Sequence, residues 1–144
     1  MQKEITIDHA LRATWQAVAK MYNEQAAQYD STMAAAFVLL NIDIENGTPS
    51  TSLGPIMGME STSLSRILKT LEERGVIYRE KNPNDGRSVL IKLTELGIEK
   101  RDLSKSKVIQ FNEQVRNQLS STQIENFFEV TAVIQKLITE KNIF

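Results

Sequence analysis

Between positions 61 and 69 the sequence sets Ser61, Thr62, Ser65, Arg66 and Lys69 among apolar residues. Hydroxyls at this spacing can bond phosphates and base edges. An arginine can bond guanine O6 and N7 together, a contact worth about 1–3 kcal/mol of base discrimination. A second group follows at Arg79, Lys81, Asp85 and Arg87. Asp85 and Arg87 flank Gly86, close enough for the carboxylate to orient the guanidinium, and an arginine so held suits the narrow minor groove, where negative potential is enhanced. Arg79 and Lys81 suit phosphate contacts. The same side chains have blander uses: Ser, Thr and Arg solvate many exposed helix faces, and an exposed ion pair contributes under about 1 kcal/mol. The elements around them decide between the two.

Other chemistries find little to work with. The 144 residues include no cysteine and one histidine, His9, which excludes disulfides, thiolate metal sites, thiol nucleophiles and cysteine-based redox sensing. Neither G-x-x-x-x-G-K-[ST] nor H-E-x-x-H occurs, so the chain reads as a non-enzyme with no cofactor and no metal. The longest apolar run, around Met33–Leu40, is far shorter than the roughly 20 residues of a membrane span. Residues 1–10 lack an apolar h-region, so the expected location is cytoplasmic, with no membrane partner.

A composition of 41% hydrophobic and 24% charged residues is that of an ordinary globular chain. Aromatics at 6% leave the core to aliphatic side chains, which suits helices better than a β-sandwich. The net charge of -1 argues against a nucleic-acid partner when taken alone. Its distribution argues the other way. From Ser61 to Lys92 seven basic side chains stand against four acidic ones, a local charge of +3 that leaves -4 for the rest.

Apolar spacing supplies the scaffold. Leu11, Trp15, Val18, Tyr22 and Tyr29 recur at helical intervals, predicting one long helix over 8–29. Asp30 or Ser31 can cap a second helix in which Met33, Phe37, Leu40 and Ile44 share a face, ended by Asn46-Gly47. Residues 48–58 read as a short or distorted helix, because Gly54 and Pro55 fall inside it and proline removes a backbone hydrogen bond. Over 60–74, Leu64, Ile67, Leu68 and Leu71 form one apolar face, with Gly75 as the terminator. That leaves Ser61, Thr62, Ser65, Arg66 and Lys69 on the open face.

A β-hairpin follows, with runs at 76–78 and 88–93 joined through Asn82-Pro83-Asn84-Asp85-Gly86. Thr94 can cap the next helix. Ser120 with Gln123 forms a capping box for the last one, whose apolar stripe is Ile124, Phe127, Thr131, Ile134 and Ile138. The fold class is therefore mainly α with a small β-hairpin wing: a winged helix-turn-helix, whose second helix enters a DNA major groove, flanked by N- and C-terminal helices.

The block S-L-S-R-I-L-K-T-L-E-E-R-G-V-I-Y-R-E-K-N-P-N-D-G-R-S-V-L-I-K-L-T-E-L-G, from Ser63 to Gly97, resembles the MarR family of bacterial transcriptional regulators. It matches that family's recognition helix, its L-E-x-x-G-x-I-x-R turn, its D-x-R wing and its L-T-x-x-G exit. Leu119-Ser120 at the start of the last helix adds weaker support.

The resemblance implies a single domain over 1–144, with a winged part at 31–93, its recognition helix at about 60–74 and its wing at about 76–93. Helical dimerisation parts fall at 5–29 and 95–141. It implies a homodimer on double-stranded DNA, a repressor released from a roughly palindromic operator by a small aromatic or phenolic effector. Ser61, Thr62, Ser63, Ser65 and Arg66 would contact the major groove, Arg87 would enter the minor groove, and Asp85 would orient it. The dimer interface would include Leu11, Trp15, Val18, Tyr22, Ile124, Phe127, Ile134 and Ile138. Two-fold symmetry would set the recognition helices about 34 Å apart.

The chain departs from the family pattern at Glu60, where a Ser or Thr cap is usual, and at Gly54-Pro55 in the first helix of the pair. These departures and the slight negative charge motivate a second reading, a winged-helix protein-interaction module that no longer binds DNA. Salt dependence separates the two, because counterion release drives association with DNA.

Overall fold

The computed structural model describes residues 4–144. Helix α1 (Ile7–Ala27) opens on Thr6, whose side chain accepts from the His9 N–H. It stops short of Tyr29, because Asp30 turns into the left-handed region at φ 55° and the Ser31 N–H returns to the Ala26 carbonyl at 3.0 Å. A short polar side chain tolerates that conformation better than a branched one.

Helix α2 (Met33–Leu40) is capped by Thr32, which accepts from Ala35 N–H at 3.1 Å, and not by Asp30 or Ser31. It also ends before Asn46-Gly47. Beyond Leu40, side chains offer the backbone other partners: Asp43 Oδ1 accepts from Glu45 and Asn46 N–H, and Thr48 Oγ1 accepts from Asp43 N–H. Such local bonds compete with helix continuation. Ile44 therefore leaves the expected apolar face and is exposed, while Ile42 is buried.

The segment expected as one short helix begins instead with strand β1 (Thr48–Pro49), followed by α3 (Ser50–Met57), which carries Pro55 within it. Two residues are too few to show an alternating pattern, and a proline that cannot donate suits an edge strand. Gly58, at φ 61°, closes α3 as Met59 N–H bonds the Gly54 carbonyl at 3.0 Å.

Helix α4 (Ser61–Glu73) ends as expected: Gly75 takes φ 71° and Val76 N–H returns to the Leu71 carbonyl at 2.9 Å. Strands β2 (Ile77–Lys81) and β3 (Val89–Leu93) make the hairpin, in register from Ile77↔Leu93 to Lys81↔Val89. With β1 they form an antiparallel sheet in the order β1-β3-β2. Its central strand contributes Ile91, wholly buried. Around it lie Val38, Leu39 and Ile42, then Leu53, then Leu64, Leu68 and Leu71 of α4, with Val76, Ile77 and Leu93. Ile67 packs partly against this core.

Helix α5 (Glu95–Asn117) is joined to the sheet by Thr94. Its Oγ1 accepts from Gly97 N–H at 3.0 Å and lies 2.6 Å from the Gly75 carbonyl, to which it donates. Gly97 is needed for close approach: a Cβ there would sit 2.1 Å from the Val76 carbonyl oxygen. Helix α6 (Ser121–Thr139) has the expected capping box, with Ser120 Oγ accepting from Gln123 N–H at 3.1 Å and Gln123 Oε1 accepting from Ser120 N–H at 2.8 Å.

The chain divides into two compact units, one ending at Lys105 and the other Ser106–Phe144. The core belongs to the first. Neither α1 nor α6 contains a buried residue among those described.

Candidate nucleic-acid interface

Burial of Leu64, Leu68 and Leu71 fixes the rotation of α4, and the helical repeat then determines what faces outward. Ser61, Thr62, Ser63, Ser65, Arg66 and Lys69 are all exposed. The five side chains singled out by type and spacing, and Ser63, which the family resemblance adds, are thus all accessible. Glu60 occupies the cap position in extended conformation, and its side chain makes no capping bond. The first-turn N–H groups of α4 therefore have no partner from that side chain.

The wing differs from expectation in two ways. Asp85 Oδ1 accepts from the backbone N–H of Arg87 at 2.9 Å, and no ion pair joins its carboxylate to the Arg87 guanidinium among the described residues. The two-residue spacing favours a side-chain turn onto the backbone, so Asp85 shapes the loop beneath Arg87 without gripping its head group. Arg79, expected to meet phosphate, is instead paired with Glu72 of α4, Nε to Oε2 at 3.2 Å. Lys92 of β3 is held by Glu80 of β2 at 2.6 Å. That hydrogen bond raises the lysine's pKa above its ordinary value.

Internal pairing thus selects among the basic residues. Arg66, Lys69, Lys81 and Arg87 are exposed and form no ion pair among the described residues, whereas Arg79 and Lys92 are engaged. The four free cations lie on α4 and the wing, the two elements joined by the Arg79–Glu72 bridge.

Several residues that position this surface were not singled out from sequence. Arg74 donates from Nη1 to the Asp30 carbonyl, tying the end of α4 to the α1–α2 corner. A hollow of about 190 Å³ lies there, lined by Ser31, Thr32, Ala35, Arg66, Thr70 and Arg74 among others. Asn82 and Ser88 are buried at the wing's base and bond each other through their side chains. Their position on either side of a turn was visible, but their inward direction was not.

The residues expected at a dimer interface divide by exposure. Leu11, Trp15, Phe127 and Ile138 are exposed. Val18, Tyr22, Ile124 and Ile134 are half-buried. Tyr22 meets Phe37 of α2 edge-on, with ring centroids 5.6 Å apart, and its burial raises its pKa. In α6 the exposed apolar set is wider than the expected stripe, adding Phe128, Val130, Val133 and Leu137. Arg116 lies over the Phe128 ring at 5.8 Å.

The profile of the MarR family matches residues 32–89. The transcriptional regulator SarZ of Staphylococcus haemolyticus is 33% identical over 88 residues, a match covering 61% of this chain and 60% of that protein. The chain therefore matches less than two thirds of that relative's length. Among solved structures, the Staphylococcus aureus MepR–DNA complex has a TM-score of 0.81 at 21% identity, covering 95% of this chain and 99% of that one. CouR of Rhodococcus jostii, solved with p-coumaroyl-CoA, has a TM-score of 0.78 at 22% identity, covering 89% and 90%. At such identities the likeness is one of fold.

Proposed function

This chain belongs to the MarR family through its winged segment, residues 32–89, and from that premise we propose that it is a sequence-specific regulator of transcription that binds double-stranded DNA as a homodimer. The carrying observation is the pairing pattern on α4 and the wing: Arg66, Lys69, Lys81 and Arg87 are exposed and without ion-pair partners, beside the hydroxyls of Ser61, Thr62, Ser63 and Ser65. Hydroxyls and an arginine on the outer face of α4 suit base edges in the major groove, and an arginine at the wing tip suits the minor groove. MepR, alike in fold, has been solved on DNA.

The homodimer is supported by apolar surface on the terminal helices. Trp15 is 55% exposed on α1, and Phe127 and Ile138 are 57% and 59% exposed on α6. Exposed aromatic and aliphatic surface of this kind is unfavourable in water and is covered in stable dimers. On this reading the protein is a cytoplasmic repressor of a palindromic operator, released by a small aromatic or phenolic effector. The solved complex of CouR with p-coumaroyl-CoA supports the effector class by analogy of fold. Release requires an effector that prefers the non-binding arrangement; moving a 1:99 population to 99:1 needs about 5.5 kcal/mol of differential affinity.

The test is a fluorescence-anisotropy titration against DNA from upstream of the protein's own gene, with a scrambled duplex as control, at two salt concentrations. Selective binding that weakens steeply with salt is expected. Absence of binding to either duplex at low salt would overturn the regulator and leave the protein-interaction module.

A further inference from the structure

We propose that Glu72 serves as an internal stand-in for DNA phosphate, holding the Arg79 guanidinium out of the backbone contacts and so lowering sequence-independent affinity for duplex DNA. The inference rests on the DNA-binding reading above and concerns the same surface.

Glu72 is seven positions after Ser65 and three after Lys69. At 3.6 residues per turn it shares their side of α4, one turn further along. A bare carboxylate there would face the same phosphates that Lys69 is placed to meet, and would repel them. Arg79, reaching across from β2, removes that charge by its bond to Glu72 at 3.2 Å. The contact runs from Nε to Oε2, and the side chains remain 36% and 44% exposed. Water and an incoming phosphate therefore have access to both partners.

The arrangement is a competition. A guanidinium can bind a phosphate through a two-pronged fork, so an incoming phosphate competes with the carboxylate for Arg79. A phosphate that captures Arg79, however, leaves Glu72 uncompensated beside the DNA backbone. That linked cost opposes the exchange and takes one cation out of the backbone contacts. Non-specific binding consists almost wholly of backbone contacts, so it is there that the restraint acts. Arg66 and the hydroxyls of the first turn, which suit base edges, stand outside the pair.

The experiment uses the full chain and a labelled short duplex of mixed sequence, which requires no knowledge of an operator. Affinities of wild type, Glu72→Gln and Glu72→Gln/Arg79→Ala are measured by anisotropy across a salt series, with Glu72→Ala as a second single variant. The pair is exposed, and circular dichroism melting curves confirm that each variant folds. Glu72→Gln should bind several-fold more tightly at low salt, with the slope of log affinity against log salt steeper by about 0.9, the signature of one added phosphate contact. The double variant should return toward wild type.

A gain that persists in the double variant would overturn the proposal, since it would come from removing Glu72's own repulsion and not from freeing Arg79. Wild-type binding that Glu72→Gln leaves unchanged would overturn this inference alone. Failure of every protein to bind at low salt would overturn it together with the DNA-binding reading.

Discussion

Asn82 Nδ2 donates to Ser88 Oγ at 3.0 Å, and both residues are buried although they bracket the exposed tip of the wing. The loop between them is closed by further bonds of its own: Asn82 Oδ1 accepts from Asn84 N–H at 3.0 Å, Asp85 Oδ1 accepts from Arg87 N–H at 2.9 Å, and Ser88 N–H bonds the Asp85 carbonyl at 3.3 Å. Asn82→Ala removes two of these contacts and leaves Ser88 without its donor. The expected cost is about 1–3 kcal/mol, as for a buried polar group deprived of its partner. Thermal unfolding should register it. Hydrogen exchange should place the loosening at the Asn84 and Arg87 amides, and unchanged exchange there would show that the turn holds without Asn82.

Arg87→Ala should weaken DNA binding with no change in dimer stability, because the side chain is exposed and forms no ion pair among the described residues. If Arg87 meets phosphate the salt slope falls by about 0.9, whereas a minor-groove contact instead weakens preference for A·T-rich flanks. Unaltered affinity would remove the wing tip from the mechanism.

Gly97→Ala should destabilise the fold strongly. Its new Cβ would lie 2.1 Å from the Val76 carbonyl oxygen and 3.2 Å from Leu93 Cδ2, and the first of these is backbone that cannot step aside. Overpacking of this kind costs about 1–3 kcal/mol or more. Gly86→Ala is the control, since nothing lies within 4 Å of its added methyl. Melting curves should separate the two, and equal midpoints would mean that α5 can shift away from the sheet freely.

If the chain forms the proposed homodimer, Trp15→Asp should convert it to monomer or reduce its stability, since it replaces an apolar side chain of α1, 55% exposed in the single chain, with a charge. Light scattering at micromolar concentration decides it. An intact dimer would place the interface elsewhere, with the exposed residues of α6 the next to test.

Much of the scaffold was legible because it rests on local chemistry. The Ser120–Gln123 box, the Gly75 terminator and the Thr94 cap are each determined by a few adjacent residues, and each forms as the sequence predicts. The outward face of α4 was legible for the same reason, since Leu64, Leu68 and Leu71 fix its rotation. The misses have a different cause. The end of α2 depends on side-chain bonds from Asp43 and Thr48 that compete with the helix. Strand β1 exists because β3 offers it an edge, a partner more than forty residues away in the chain. The pairing of Arg79 with Glu72 was not legible either, because Glu72 lies on another element and nothing local shows that the two meet.

The polar contacts of α4 are unevenly spread along its length. Arg74, its C-cap, is bonded to the Asp30 carbonyl and Glu72 to Arg79, both at its C-terminal end, while Glu60 at the other end makes no capping bond. Leu64, Leu68 and Leu71 hold the inner face of the helix in the core along its length, and these polar contacts add a second fixing point at its far end. Thirteen helical residues make an arm of about 20 Å at roughly 1.5 Å per residue. A change of about 10° in the helix's direction at that end would displace Ser61 by about 3.4 Å, the rise of one base-pair step. On the DNA-binding reading, the alignment of Ser61 with individual base pairs would therefore depend on Arg74 and Glu72, side chains that need never touch a base.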